Sequence, residues 1–426
     1  MENKNVKVPN GYKKTELGVI PEEWEVGELG TCIKQVKESV LPESTGKTIY
    51  VGLEHISSGE TKLTNYGRSD SVKSLKFKFT KNNILYGKLR PYLDKAVLTD
   101  KEGICSTDII VIECKDSSIK EFVIYILHSK QFLDYINGTT AGSNLPRTSW
   151  QSISKYKVPL PPFSEQQKIA SILSKVDEQI EQTEQIIEKT EILKKGLMQK
   201  LLTKGIEHTT FKEIKIGTKY YNIPITWEVR NIESTFLLKG RIGWQGLTTK
   251  EYLNEGNYCL VTGTDFERGR INWDTCVYVS EERYLQDSNI QLKDGDILVT
   301  KDGTIGKIAY VDKLENLATL NSGIFVLRSL NNGCYPEYLY NILNSFYFEL
   351  FISVLKAGST ISHLYQKDFT KFSFPLPPLP EQQKIASILS KVDSQIQDNQ
   401  SYLHKLQELK KGLMQDLLTG NVRVCV

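Results

Sequence analysis

The chain has 426 residues, of which 39% are hydrophobic and 25% are charged, with a formal net charge of +3. This composition is that of a globular protein long enough to bury two cores, and it excludes a disordered chain. The seven cysteines form no CxxC pair, the first residues are polar, and no apolar run approaches the ~18 residues of a membrane span, so we expect a cytoplasmic protein without a disulfide framework, a zinc site or a signal peptide.

The first globular half is predicted to cover residues 1–163. It shows short alternating strands between Gly and Asn turns, a strand that opens at Ile84, a helix over roughly 119–136, and a loop that leads into the PLPP of residues 159–162. The stretch 62–95 carries nine bases against two acids, with tyrosines between them. This pattern is typical of a nucleic-acid-binding face, although a solvated charged loop is the alternative.

Residues 164–204 are predicted to form one long helix. No proline interrupts the stretch from Ser164 to Thr203, and its apolar residues recur at alternating steps of four and three. Such a heptad seam must be covered by another helix. The preceding PLPP and Glu165 mark the start of the helix, and Gly205 marks its end. A helix of about 40 residues is ~60 Å long, which suits a strut or a ruler.

The rest of the chain repeats this organisation. The thirteen letters EQQKIASILSKVD at 165–177 recur at 381–393, and LKKGLMQ recurs at 193–199 and 409–415, each 216 positions later. A period of this length indicates tandem duplication of a whole domain rather than a solenoid. We therefore predict a linker and second globular half over 205–379.

A second long helix and a C-terminal tail are predicted over 380–426, and each long helix is the nearest candidate to cover the seam of the other. Lys194 and Lys410 interrupt the heptad register at matching places. The motif IPxxWEV, with Trp24 in the first copy and Trp227 in the second, opens both halves. Because the second copy of this motif follows the first helix, the start of the chain is expected beside the end of the second helix.

The scaffold repeats while the loops differ. Ile84 and Ile297 open matching strands, after which one half reads GKLRPYLDKAV and the other KDGTIGKIAYV. Divergent polar loops on a duplicated scaffold indicate two readers of different targets.

In both halves, an IPxxWEV opening is followed by PLPPxxEQQKIA and a long helix that ends LKKGLMQ. These motifs resemble those of the DNA-specificity subunits of type I restriction-modification systems. The resemblance covers essentially the whole chain. It implies an α+β fold: a tandem duplication of a mixed α/β target-recognition domain followed by a long helix, with the two helices forming an antiparallel coiled coil with pseudo-two-fold symmetry.

The same resemblance implies a non-catalytic chain that reads a bipartite double-stranded DNA sequence with two recognition domains held apart by the coiled coil. Its implied partners are two modification subunits, which methylate adenine, and restriction subunits, which translocate and cut DNA. S-adenosylmethionine, ATP and magnesium would belong to those partners, and no cofactor is expected in this chain.

Candidate site residues follow from the polar loops and from the resemblance. The candidate DNA contacts of the first domain are Lys88, Arg90, Tyr92, Lys95, Ser143, Asn144 and Arg147. Those of the second domain are Lys301, Thr304, Lys307, Ser359, Thr360 and His363. The candidate partner contacts, taken to be exposed near the helix starts, are Gln166, Gln167, Gln382 and Gln383, for which a buried capping role is the alternative.

Two other classes of protein remain open at this point. Asp94, Glu113 and Lys115 have the spacing of a metal-dependent nuclease site, but the second half has no equivalent. A structural coiled-coil adaptor would bind protein alone and would show no salt-dependent affinity for DNA.

Overall fold

A computed structural model of the chain describes residues 8–115, 120–140, 145–242, 246–330, 333–357 and 363–425, and all structural statements below refer to these residues. Four of the candidate DNA contacts, Ser143, Asn144, Ser359 and Thr360, therefore lie outside the described residues. The chain divides into two compact units. One runs to Gln185 and resumes at Gln400, and the other is Ile186–Asn399.

The first unit begins with a β-rich domain. Its elements, with the full extent of the long helix that it enters, are β1 Tyr12–Thr15, β2 Gly18–Pro21, β3 Glu25–Glu28, β4 Ile33–Val36, β5 Ser39–Val40, β6 Ile49–Val51, β7 Gly67–Arg68, β8 Lys76–Phe79, β9 Ile84–Gly87, β10 Ala96–Leu98, β11 Gly103–Cys105, β12 Ile109–Cys114, α1 Lys120–Leu127, α2 Lys130–Gly138, α3 Trp150–Ser154, β13 Lys157–Leu160 and α4 Phe163–Lys204.

The central sheet of this domain has the antiparallel order β10-β9-β12-β4 and is covered on both faces. Because side chains alternate across a strand, Ile84 and Tyr86 pack with the helices on one face. Leu85 and Val111 pack on the other face against a second sheet of order β5-β8-β11-β6-β7. Burial on both faces explains why β9 reads as an unbroken apolar run rather than an alternating one.

The single helix predicted over 119–136 is wrong, because the segment forms two helices, α1 and α2. Ser129 separates them, and its hydroxyl accepts a hydrogen bond from the Phe132 amide at 3.2 Å, as an N-cap does. The apolar residues continue across this break, and the periodicity therefore concealed it. A serine immediately before a new apolar run was the available signal.

The second unit repeats the plan. Its elements, with the full extent of the helix that follows, are β14 Phe211–Ile216, β15 Lys219–Pro224, β16 Glu228–Asn231, α5 Ile232–Thr235, β17 Phe236–Gly240, β18 Tyr258–Val261, β19 Phe266–Glu267, β20 Arg270–Ile271, β21 Val277–Tyr278, α6 Glu281–Leu285, β22 Ile297–Thr300, β23 Ile308–Tyr310, β24 Leu317–Leu320, β25 Ile324–Ser329, α7 Pro336–Leu343, α8 Phe346–Ala357, α9 Gln366–Phe369, β26 Ser373–Leu376 and α10 Leu379–Thr419.

Strand order confirms that the scaffold is duplicated. The sheet β23-β22-β25-β17 of the second unit corresponds strand for strand to β10-β9-β12-β4 of the first. A second sheet of each unit also contains a parallel pair, β6 with β11 in the first unit and β18 with β24 in the second. The predicted matching strands at Ile84 and Ile297 are therefore equivalent central strands.

The two long helices begin and end within a few residues of the predicted bounds, at 42 residues for α4 and 41 for α10. Gly205 and Gly420 follow them with φ of +64° and +76°, the left-handed conformation that closes a helix at low cost only for glycine.

In the first unit, the N-terminal half of α4 packs antiparallel on the C-terminal half of α10. Ile169 and Leu173 share a core with Leu417 and Leu418. Lys410, which appeared only as a break in the heptad register, pairs with Asp177 at 2.7 Å, and both side chains are mostly buried.

The second unit contains the matching arrangement of helices. Met198 and Leu202 of α4 share a core with Ile385 of α10, and Lys194 pairs with Asp393 at 2.5 Å. Each lysine that interrupts the register is therefore neutralised by the aspartate that ends the repeated EQQKIASILSKVD block.

The expected position of the start of the chain is confirmed for the residues described. In the first unit, Glu165 at the start of α4 accepts hydrogen bonds from the Trp24 indole at 2.9 Å and from the Arg423 guanidinium at 2.9 Å. In the second unit, Glu381 accepts from the Trp227 indole at 3.0 Å and contacts the His208 imidazole at 2.9 Å. Each helix start is thus bound to the segment that follows the end of the other helix.

Candidate nucleic-acid interface

The loop between β9 and β10 in the first unit is held by backbone contacts with the segment before α3. Leu89 and Arg147 form an antiparallel bridge. The Thr148 amide donates to the Lys88 carbonyl at 2.9 Å, and the Lys88 amide donates to the Asp108 carbonyl at 2.9 Å. Two loops that lie about 60 positions apart in sequence therefore form one surface at this end of the central sheet.

The tip of this loop adopts a conformation that is unusual for residues with a side chain. Arg90 and Asp94 have φ of +51° and +50°, left-handed values that cost of order 1 kcal/mol or more outside glycine. The Arg90 amide donates to the Pro146 carbonyl at 2.7 Å, and the Asp94 carboxylate contacts the buried His128 imidazole at 2.7 Å. These contacts fix a turn that leaves Arg90 exposed and Tyr92 56% exposed.

Three of the predicted cations have different environments here. The Arg147 Nε lies 3.2 Å from the Asp108 carboxylate, and the Lys88 Nζ lies 3.9 Å from the same oxygen. The Lys95 ammonium instead donates to the Leu53 carbonyl at 2.6 Å, so it is committed to the domain's own backbone. The structure therefore brings Lys88 and Arg147 together at one carboxylate.

The second unit reproduces this frame at matching positions. Asp302 and His363 form the antiparallel bridge, the Leu364 amide donates to the Lys301 carbonyl at 2.8 Å, and the Lys301 amide donates to the Gly323 carbonyl at 2.8 Å. These residues correspond in order to those of the first unit. The backbone hydrogen bonds are thus the same, while the side chains they present are different.

Lys301 is buried, although a candidate DNA contact was expected to be exposed. Its side chain is 9% exposed, its Nζ lies 4.8 Å from the centre of the Phe325 ring, and it donates to the Arg241 carbonyl at 3.4 Å. Burial lowers the pKa of Lys301, against the opposing effect of Asp302. The expected exposure of Lys301 is therefore wrong, because this lysine supports the loop from below, and its burial argues against the predicted direct contact with DNA.

The remaining described candidates of the second unit lie on the surface. Thr304 and Lys307 are exposed, and the Thr300 hydroxyl fixes the turn between them by donating to the Thr304 carbonyl at 2.5 Å and accepting from the Lys307 amide at 2.9 Å. The His363 imidazole contacts the Asp302 carboxylate. All three therefore border the same loop.

The basic stretch 62–95 does not form one continuous face. Lys76 is buried and donates to Ser74, and Lys78 pairs with Glu38 at 3.0 Å. The concentration of bases in sequence is divided in space, and only the part around Lys88 and Arg90 reaches the loop surface.

The four glutamines divide into two pairs. Gln166 and Gln382 are buried, and their amides donate to the carbonyls of Pro161 at 2.9 Å and Pro377 at 2.8 Å. The expected exposure is wrong for these two, which brace the entry into each helix instead. Gln167 and Gln383 are exposed at matching positions.

The residues of the nuclease alternative do not converge. Asp94 contacts His128 beyond one end of the sheet, whereas Glu113 pairs with Lys34 at 2.9 Å near the other end. Lys115 donates to the carbonyl of Gly30 at 3.0 Å. Within the described part of the chain, no group of His, Cys, Asp or Glu side chains could hold a metal ion, and no helix has the length and apolar character to cross a membrane.

Sequence reasoning missed the acidic residues of this surface. Asp108 and Asp302 lie beside the candidate DNA contacts, but neither belongs to a cluster of bases or to a hydrogen-bonding loop motif in the sequence. Asp108 is 39 positions from Arg147, and no linear pattern joins the two.

Comparison with known proteins identifies the family. Residues 21–191 and 224–410 each match the model of the type I restriction modification DNA specificity domain. The chain belongs to this family. It carries two such specificity domains in tandem, and the family is named for recognition of DNA rather than for catalysis.

Two similar specificity subunits match along almost their whole length. The type I restriction enzyme MjaVIII specificity subunit of Methanocaldococcus jannaschii is 28% identical over 95% of this chain and 94% of its own, and the MjaIX specificity subunit of the same organism is 26% identical over 97% and 96%. The crystal structure of a type I restriction-modification S subunit from M. genitalium covers 97% of this chain and 98% of its own, with a TM-score of 0.62 at 18% identity. The chain described here therefore shares its fold with the M. genitalium S subunit.

Proposed function

We propose that the chain reads a split double-stranded DNA sequence within a type I restriction-modification complex, with one half-site bound by each specificity domain. The observation that carries this proposal is the repeated loop frame. Leu89 and Arg147 in one unit, and Asp302 and His363 in the other, form the same backbone bridge with unlike side chains. Base edges in the major groove are read by side chains, so a common frame with different side chains favours two different half-sites.

The long helices are proposed to set the distance between the half-sites. Helices of 42 and 41 residues are ~60 Å long, which at ~3.4 Å per base pair limits the separation of the half-site centres to about 18 base pairs. The ion pairs Asp177–Lys410 and Asp393–Lys194 lock the antiparallel register of the helices within each unit, as a fixed spacing requires.

Catalysis is assigned to partner subunits. Two modification subunits would methylate adenines with S-adenosylmethionine, and restriction subunits would use ATP and magnesium. The exposed Gln167 and Gln383 mark equivalent places at the two helix starts where two copies of one partner could bind. Because such a complex would act on DNA inside the cell, we propose that the chain is cytoplasmic.

Mapping of methylated adenines tests this proposal. The chain is expressed with its modification partners in a host that lacks other adenine methylation. We expect one motif with two defined half-sites and a constant spacer, and no methylation when the chain is omitted. A contiguous motif, or methylation without sequence preference, would refute it.

A further inference from the structure

Both specificity domains place a carboxylate against the donor side chain at the same position of the loop frame. In the first domain, Asp108 lies 3.2 Å from the Arg147 guanidinium and 3.9 Å from the Lys88 ammonium. In the second domain, Asp302 contacts the imidazole of His363, the residue that corresponds to Arg147. These three candidate contacts, Arg147, Lys88 and His363, are therefore already held beside an acid in the free chain.

The two acids come from different places in the sequence yet occupy the same place in the frame. Asp108 belongs to the turn between β11 and β12, and Gly323 takes the corresponding place in the second domain, as the Lys88 and Lys301 amide contacts show. A side chain built on Gly323 would begin 3.9 Å from the Asp302 carboxylate. The carboxylate thus comes from Asp302, in the loop after β22, in the second domain, and from Asp108, in the turn between β11 and β12, in the first domain.

A carboxylate at this place opposes binding to arbitrary DNA. Cations that neutralise phosphates provide most of the sequence-independent affinity of a DNA-binding protein. A cation already paired with an acid must exchange that partner for a phosphate, and the released acid then lies beside the negative backbone. Only a sequence that adds base contacts offsets this repulsion, which is how an unfavourable element can raise specificity.

We propose that Asp108 and Asp302 are specificity-determining residues that hold the DNA-contacting side chains of their domains and suppress binding to non-target sequences. This inference rests on the proposed function, because it presupposes that the loop frames face DNA. In each domain, an acidic residue would then contribute to discrimination between DNA sequences, beside the basic and polar residues that contact the DNA.

The test uses the complex of the full chain with its modification subunits and two duplexes, one carrying the mapped target and one with both half-sites scrambled. For Asp108→Asn, we expect affinity for the scrambled duplex to rise about 3- to 10-fold and to depend more steeply on salt, by about one unit of the log–log slope, because one more cation is free to neutralise a phosphate. Affinity for the target should change less, so the target-to-scrambled ratio should fall.

A matched control separates this effect from a general gain of positive charge. Asp100→Asn makes the same charge change at the opposite end of the β9–β10 hairpin, since Leu98 pairs with Ile84 at the far end from Lys88. It should leave the ratio unchanged. In an Arg147→Gln and Lys88→Gln background, Asp108→Asn should lose most of its effect, because the side chains it releases are gone.

The outcomes distinguish failure of the proposed function from failure of the role assigned to Asp108. If the wild-type complex does not prefer the target, the proposed function fails. If it does, but Asp108→Asn behaves like Asp100→Asn or weakens target binding without a gain for scrambled DNA, the role of Asp108 is refuted. Asp302→Asn provides an independent test in the second domain. With duplexes in which only one half-site is scrambled, it should reduce discrimination at the half-site that Asp108→Asn leaves unaffected.

Discussion

The Asp177 carboxylate attaches the first specificity domain to its helices through three polar contacts, and Asp177→Ala tests this attachment. One oxygen pairs with Lys410 at 2.7 Å. The other accepts hydrogen bonds from Tyr125 at 2.8 Å and from Thr61 at 3.1 Å. Burial, together with the Asp177 carboxylate, raises the pKa of Tyr125, so its hydroxyl remains a donor at every ordinary pH.

The expected cost follows from what the substitution leaves without a partner. Breaking a buried ion pair by removing one member costs about 3–5 kcal/mol, and the value here should lie near the lower end because Asp177 and Lys410 keep 13% and 17% of their exposure. Two hydroxyls that lose an acceptor add to this cost, while alanine returns ~0.5 kcal/mol of helix propensity. We expect a loss of about 3 kcal/mol in the first unit.

Asp393→Ala is the matched control in the second unit. Its ion pair is more exposed, at 27% for Asp393 and 25% for Lys194, and the expected loss is about 1–2 kcal/mol. Hydrogen exchange followed by mass spectrometry reports on each unit separately. Protection in β9 and β12 should fall ~100-fold for Asp177→Ala, against about 10-fold in β22 and β25 for the control. Equal losses, or a larger loss for the control, would refute the assigned role of Asp177.

Three further predictions follow from individual side chains. Lys307→Gln should reduce the log–log salt slope of DNA binding by about one, whereas Lys301→Met should leave that slope unchanged because the ammonium is buried; equal slopes for both variants would contradict the placement of Lys301. Glu165→Gln should lower the thermal unfolding midpoint of the first unit by several degrees, measured by calorimetry, because the buried side chain loses its charge between the Trp24 indole and the Arg423 guanidinium. An unchanged midpoint would argue that these contacts do not stabilise the unit. The backbone hydrogen bond from Thr248, followed by the hydrogen bond from the Arg283 guanidinium, lowers the pKa of Glu251 to about 2. Ionised Glu251 therefore stabilises the second unit fully above the ordinary pKa of 4.5, and this stabilisation is lost as the pH falls towards 2. Glu251→Gln should flatten the acid unfolding of the second unit in that range, and identical acid profiles would contradict this.

The long helices could be predicted almost to the residue because their signals are local. Apolar spacing, the proline-rich entry and the stop glycines all act within a few positions of the structure they determine. The meaning of Lys194 and Lys410 was less accessible. Each looked like a defect of the heptad register, and only the antiparallel partner, far away in sequence, supplies the aspartate that neutralises it.

The candidate interface could be predicted only in part. The loops around Lys88 and Arg147 do meet on one surface, but the sequence pointed to each of them separately, and their contact with DNA stays a prediction. The burial of Lys301 and the placement of Asp108 were not predictable, since both depend on contacts between loops that are distant in the chain. Basic residues in the sequence indicate a class of partner. Ion pairs and burial in the folded chain decide which of these residues remain available to contact it.

A paired deletion in the two helices tests the central claim most directly. Removing residues 181–187 and 397–403 takes one heptad from each helix between the lysine and aspartate positions, which are retained. Seven residues correspond to ~10 Å, or about 3 base pairs. Methylation mapping with the modification partners should then show the same two half-sites with a spacer shortened by up to about 3 base pairs. An unchanged spacer, or altered half-sites, would contradict the proposal that two independent readers are held apart by a helical ruler.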